Sequence, residues 1–270
     1  MQRKGERSAT GPTARAAEAL LTAAIGALLG WLAGQWIHTT VGGVMALVAG
    51  LNGAVSGWRG VYGWRRHGAL AFALDSTWAS VPVVGSLMAH GVAAASRTAG
   101  YEASLSRRQN RHVYRGGMHL KPGFAFTVGN VISGAGDVDR PRRRRLITDH
   151  EDVHVWQARW FGPFYLAIYG AWALGGVVVG MVLWLRRGRA VPLGSMIESC
   201  AYYLNPFEWW AYSRDALWPP SGKVHGLGWS KPAARPLATL ARRRPRDPVA
   251  DPAAATSESS ADPASGSSSA

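Results

Sequence analysis

Long apolar blocks separated by arginine-rich connectors constrain this chain more than any other feature. Residues 16–37 hold one charged side chain, Glu18, near their start, and residues 41–58 and 163–185 hold none. About 20 helical residues cross the hydrocarbon core of a bilayer, so each block is of spanning length or close to it. In the first block Gly26, Gly30 and Gly34 recur every four residues and line one helix face, where a second backbone can approach closely. Ala46, Gly50 and Ala54 repeat that spacing in the second block, as do Gly53 and Gly57. The pattern predicts a tightly packed transmembrane hairpin over residues 16–60, joined at residues 35–40, which carry no fixed charge. The Gly26/Gly30/Gly34 face also offers a surface for a homo-oligomer.

The charge balance agrees with a lipid bilayer as partner. The formal net charge is +14 although 47% of residues are hydrophobic. Arginines beside membrane segments account for that combination, because cytoplasmic connectors collect Lys and Arg. Arg3, Lys4, Arg7 and Arg15 precede the hairpin, and Arg59, Arg65 and Arg66 follow it. Both ends of the hairpin are therefore expected in the cytoplasm, with the chain in the cell membrane. No nucleic-acid partner is expected, since the arginine runs are not interleaved with stacking aromatics. A single cysteine, Cys200, excludes an internal disulfide framework. No cleavable signal peptide is expected, because the first apolar block is too long for one.

Around the hairpin the chain divides by composition. Residues 1–15 are expected as a disordered basic tail. Residues 61–96 are expected as interfacial or membrane helices, broken near Pro82. Residues 97–218 are expected to form a small α+β domain that includes an apolar helix at 163–185. Short strands are expected at residues 112–114 and 123–132. Residues 219–270, rich in Pro, Ala, Ser and Arg, read as a second disordered tail. The fold class expected is mainly α and membrane-associated.

Chemistry enters at His150-Glu151-Asp152-Val153-His154, an H-E-x-x-H run. On a helix, residues i and i+4 share a face, so both imidazoles can reach one zinc ion. Glu151 lies beside the first and can take a proton from a water that the ion makes more acidic. The flanks suit an amphipathic helix over residues 146–161, stopped by Gly162-Pro163. Two histidines leave a catalytic zinc short of a third protein ligand, for which Glu208 is the candidate and Glu198 the rival. Asn205-Pro206 reads as a helix start, with Asn205 as cap, which places Glu208 in the first turn. Arg214 and Asp215 are candidates for contacts that support the ligands. A charge stabiliser for the reacting carbonyl is sought among His225, Tyr212 and Arg214.

Residues 150–157, then Trp160, Gly162, Pro163, Tyr165 and Tyr169, then Tyr203, Asn205-Pro206-Phe207-Glu208 and Ala211-Tyr212, form a longer pattern. It resembles one found in bacterial zincin-like proteins. Its layout is similar to that of the gluzincin peptidases, including the membrane-bound HtpX-type group. The match covers about residues 126–215. The resemblance implies a zincin-like domain in which Glu208 is a zinc ligand and residues 124–133 form the strand before the active helix. It implies a metal-site fold more directly than a substrate.

The apolar block at 163–185 raises a geometric problem. If it crosses the bilayer once, the histidines and Glu208 end on opposite sides and cannot share an ion. Three arrangements escape this: a bend and return at Gly175-Gly176, a helix that never crosses, or a Glu208 that is not a ligand. Arginines at residues 142–145 before the block and Arg186, Arg187 and Arg189 after it favour a helix packed against the site at the membrane surface. Two functions are then expected: a membrane-associated zinc metallopeptidase acting on a peptide or protein substrate, or a non-enzymatic membrane scaffold with a structural or degenerate metal site.

Overall fold

The structure, a computed structural model, describes residues 11–65, 67–119, 121, 123–215 and 224–233. The expected tails over residues 1–10, 219–223 and 234–270 lie outside the described residues. The molecule is mainly helical, with one small sheet. Helices α1 (Pro12–Gln35) and α2 (Thr39–Trp58) pack along one another. The glycine stripe of α1 is consumed in this contact. A Cβ added at Gly30 would lie 2.5 Å from Met45 O, and Thr22 Oγ1 donates to Gly53 O at 2.7 Å across the pair. The second backbone that the stripe can admit is thus α2 of the same chain.

Helices α3 (His67–Ser76) and α4 (Ser80–Ala95) follow as two short helices bent 92° apart. The break falls at residues 77–79, before Pro82, which sits in the first turn of α4. A proline there costs nothing, since first-turn N–H groups have no partner within the helix. After a single turn of helix, α5 (Ala103–Ser106), come strands β1 (His112–Val113), β2 (Phe126–Val128) and β3 (Val131–Ser133). Their order is β1-β3-β2, with β1 parallel and β2 antiparallel to β3. The single strand expected at 123–132 is therefore a hairpin. Gly129 turns it with φ +54, a conformation that glycine adopts freely, and Thr127 pairs with Ile132.

A continuous helical run then covers α6 (Pro141–Arg145), a π-helical segment at Leu146–Glu151 and α7 (Asp152–Phe161). Ile147 and Val155 from this run bury against Val113 and Ile132 of the sheet. Gly162-Pro163 ends it as expected, and α8 (Tyr165–Arg186) begins after one 3-10 turn. Helix α8 runs through Gly175-Gly176 without a break. The chain turns at residues 187–192 and comes back alongside it as α9 (Leu193–Glu198) and a π-helical segment at Ser199–Tyr203. Gly176 allows the close approach, because a Cβ there would meet Ala201 Cα at 2.5 Å. Helix α10 (Pro206–Tyr212) then starts at Asn205, whose side chain accepts from Phe207 N at 3.0 Å. Residues 224–233, expected within the tail, pack back on this layer: Val224 is buried with Met196 and Cys200, and Trp229 stacks on Trp209.

Helices α1, α2 and α8 are long and apolar enough to cross a membrane, and α3 with α4 together pass the same test as a bent pair. Buried polar groups tie these helices to the sheet. Arg159 of α7 donates through Nε to Asp75 Oδ1 at 2.8 Å and through Nη2 to Asp75 Oδ2 at 2.9 Å, and both residues are 1% exposed. Tyr62 and Asn130 also donate to Asp75 Oδ2, and Asn130 donates to Asn52 of α2.

Asp75→Ala leaves the Arg159 charge buried and uncompensated. It is expected to cost about 3–5 kcal/mol of stability in detergent unfolding. Adding Arg159→Met to it restores most of that loss, and equal stability of Asp75→Ala and the parent would contradict the assignment.

Candidate metal centre

The π-helical segment Leu146–Glu151 widens the helix at His150 and Glu151. Such segments insert an extra residue into an α-helical ladder and often occur where a side chain must be re-aimed for function. Here the wide turn keeps Ile147 in the sheet core while His150 turns toward α10. His154, four residues on in α7, points the same way, and the two rings lie 5.0 Å apart. Glu208 enters from the first turn of α10.

His150, His154 and Glu208 are all buried and converge on one point. His150 Nε2 lies 3.3 Å from His154 Nε2. Each imidazole lies 3.5 Å from a different oxygen of Glu208: His150 from Oε2 and His154 from Oε1. A tetrahedral ion with bonds of about 2.1 Å holds its donors about 3.4 Å apart. The closest approach of each pair is of that size, and one donor atom from each residue lies within 4.8 Å of the other two. Glu208 Oε2 is moreover buried and accepts no hydrogen bond. A lone carboxylate oxygen among imidazole nitrogens is costly unless something positive sits there. The donor set therefore fits a metal ion, and imidazole with carboxylate suits first-row divalent cations.

A second layer orients the donors. Gln157 donates from Nε2 to Phe207 O at 2.9 Å, which turns its Oε1 toward His154 Nδ1 at 2.8 Å. His154 Nδ1 must then carry the proton, leaving Nε2 with the lone pair aimed at the ion site. Tyr169 of α8 donates to Glu208 Oε1 at 2.9 Å. The Tyr212 ring packs edge-on against His150 at 4.5 Å. Thr127, on edge strand β2, donates to Glu151 Oε2 at 2.6 Å. Arg111 pairs with Asp152 next to it.

Of the residues singled out by spacing, His150, His154 and Glu208 are brought together, and Glu151, next to His150 in the chain, is bound by Thr127. Glu198 lies outside the cluster. Arg214 and Asp215 sit in the turn after α10, where their amides donate to Ala211 O and Tyr212 O, both at 3.0 Å. Asp215 is buried, and its charge adds to burial in raising the nearby Asp149 carboxyl, against a hydrogen bond from Thr148. His225 is removed from consideration as a charge stabiliser. Its carbonyl meets Arg187 beyond the far end of α8, roughly 27 Å along that helix from Tyr169. Gln157, Tyr169 and Thr127 hold the ligands and Glu151, although nothing in their spacing assigned them that role.

Without an ion the cluster keeps a proton. Burial alone lowers the His154 imidazole, but the Glu208 carboxylate beside it outweighs burial and raises it to about 9. Burial likewise raises the Glu208 carboxyl, and the His154 charge with both imidazoles overcomes this and holds it well below the usual range. No family model, curated protein or solved structure matches this chain.

Two outcomes follow for the metal. An ion must displace the His154 proton, so metal binding near pH 7 is expected to release about one proton, and apparent affinity is expected to fall about tenfold per unit of falling pH. Calorimetry in buffers of different ionisation enthalpy reads the proton, and zero release at pH 7 would contradict the coupled pair. In the metal-free protein the sign reverses. His154 has a folded value raised above the ordinary imidazole value of 6.5, so its stabilisation is complete below pH 6.5 and is lost as pH rises through about 9. Separately, Gln157→Leu and Tyr169→Phe are each expected to weaken metal binding by about 10- to 100-fold in competition with a chelating dye. Unchanged affinity in both would leave the second layer without a role.

Proposed function

We propose that this chain is a membrane-associated zinc metallopeptidase that hydrolyses peptide bonds. The observation that carries the reading is the convergence of buried His150, His154 and Glu208, one donor atom of each within 4.8 Å of the others, with Glu151 next in sequence to His150. Two histidines and one glutamate are a common ligand set of catalytic zinc, which leaves a fourth position open. The ion, when bound, supplies a Lewis acid that polarises a carbonyl and lowers the pKa of water.

The chain's own residues do the rest. Glu151, steadied through one oxygen by Thr127, takes the proton from the attacking water and passes it to the leaving amine. His150 and His154 hold their lone pairs on the ion site, the latter locked by Gln157. Tyr212, packed on His150, is the nearest of the expected charge stabilisers. Helices α1, α2 and α8 anchor the domain to the cell membrane, with the site on the cytoplasmic side as the arginine distribution favours.

Glu151→Gln is expected to keep its zinc and to lose hydrolysis of an unfolded protein such as casein by about 10²–10⁴-fold. Full activity in Glu151→Gln would remove the general base. A fully zinc-loaded parent that cuts nothing would favour the second reading, a membrane scaffold with a structural metal.

A further inference from the structure

A cleft of about 670 Å³ opens beside the start of the active helix and reaches from Phe124, just before β2, to Leu146 and Asp215. That volume lies in the range of small-ligand pockets. Leu146 precedes His150 by four residues, so the cleft begins roughly one helical turn, about 6 Å, from the first ligand. Four arginines line it: Arg115, Arg140, Arg142 and Arg143.

They are not equivalent. Arg115 is paired with Glu102 and Asp139, and Arg140 with Asp137. Arg143 meets no carboxylate within ion-pair distance among the described residues. It donates to the carbonyls of Ala135 (2.5 Å), Gly134 (2.7 Å) and Gly123 (3.2 Å), which fix the guanidinium in place without cancelling its charge. The Arg142 side chain is exposed and makes no hydrogen bond or ion pair among the described residues. Asp215, at the other end of the cleft, is buried. Two positive charges on consecutive residues are thus left facing the cleft, one held by backbone carbonyls and one exposed. Phe124 and Leu146 supply apolar walls for an aliphatic stem. A fixed guanidinium beside a short apolar wall is a carboxylate receptor.

We infer that this cleft receives an acidic residue of a peptide substrate, held by Arg142 and Arg143, and so sets a preference for Glu or Asp near the bond to be cut. The inference rests on the peptidase reading of the adjoining site. Arg143 precedes His150 by seven residues, about 10 Å along the helix, and extended peptides advance about 3.3 Å per residue, which places the acidic side chain roughly three residues from that bond.

The test measures binding alone, so it does not depend on turnover. Zinc-loaded Glu151→Gln protein in detergent is titrated into labelled ten-residue alanine-based peptides carrying a central Glu-Glu or Gln-Gln. The Glu-Glu peptide is expected to bind about ten-fold more tightly, with the gap closing as salt is raised. Adding Arg142→Glu is expected to remove about five-fold of that preference, while Arg142→Lys keeps it. Because the Arg142 side chain holds no hydrogen bond or ion pair among the described residues, zinc content and melting temperature should not change. Equal binding of the two peptides overturns the inference, as does a preference that survives Arg142→Glu. Displacement of both peptides alike by phosphatidylglycerol-doped micelles also overturns it, by assigning the arginines to a lipid headgroup. Selective binding of the Glu-Glu peptide, together with a zinc-loaded parent that cuts no peptide, would keep the acidic cleft and sink the peptidase reading.

Discussion

Asp75 and Arg159 meet where neither touches water. Taking two charges out of water costs several kcal/mol each, and the pair is tolerable only because its geometry is bidentate and its remaining groups are largely engaged. Tyr62 and Asn130 donate to the carboxylate, and Asn110 O accepts from the guanidinium. The consequence is positional. Arg159 lies in the same helix as His154, so the ion pair pins that helix to α3. Through Asn130 and Asn52 it also pins it to the hairpin turn of the sheet and to α2. His150 and His154 therefore sit on an element that cannot slide without stranding a buried charge.

The second constraint is the path of the chain between the histidines and Glu208. Helix α8 has 22 residues, about 33 Å, and carries the chain away from the site. The return along α9 and its π-helical extension undoes that displacement, which small residues permit by letting the backbones touch. Tyr169 near the start of α8 and Glu208 in α10 then meet at 2.9 Å. The difficulty raised by a long apolar block between two halves of one site is thereby resolved without a bend at Gly175-Gly176. The donors share one end of the helical pair whether or not α8 enters a bilayer.

Parts of this were legible in the sequence because they depend on local spacing. The i, i+4 histidines, the stop at Gly162-Pro163 and the Asn205 cap before Pro206 each follow from one or two turns of helix. The packed α1–α2 pair follows from glycines four residues apart. Other features were hidden because they arise between distant segments. Gln157 acquires its role only when Phe207 O fixes its amide, 50 residues away. Thr127 matters only because β2 is the strand next to Glu151. The π-helical turn at Leu146–Glu151 has no marker of composition, since it reflects how the sheet core and α10 divide the two faces of one helix. Pro82 marked the break to within a few residues, because a proline ends one helix or begins the next, and here it lies in the first turn of α4 just after the bend.

The account turns on three side chains sharing one ion. Metal content of protein purified in detergent, compared with His150→Ala and Glu208→Gln, tests it most directly. About one zinc per chain in the parent, with loss in both variants and no change in fold by circular dichroism, is the result predicted. A well-folded parent that takes up no metal, or a Glu208→Gln variant that binds it as tightly, would contradict it.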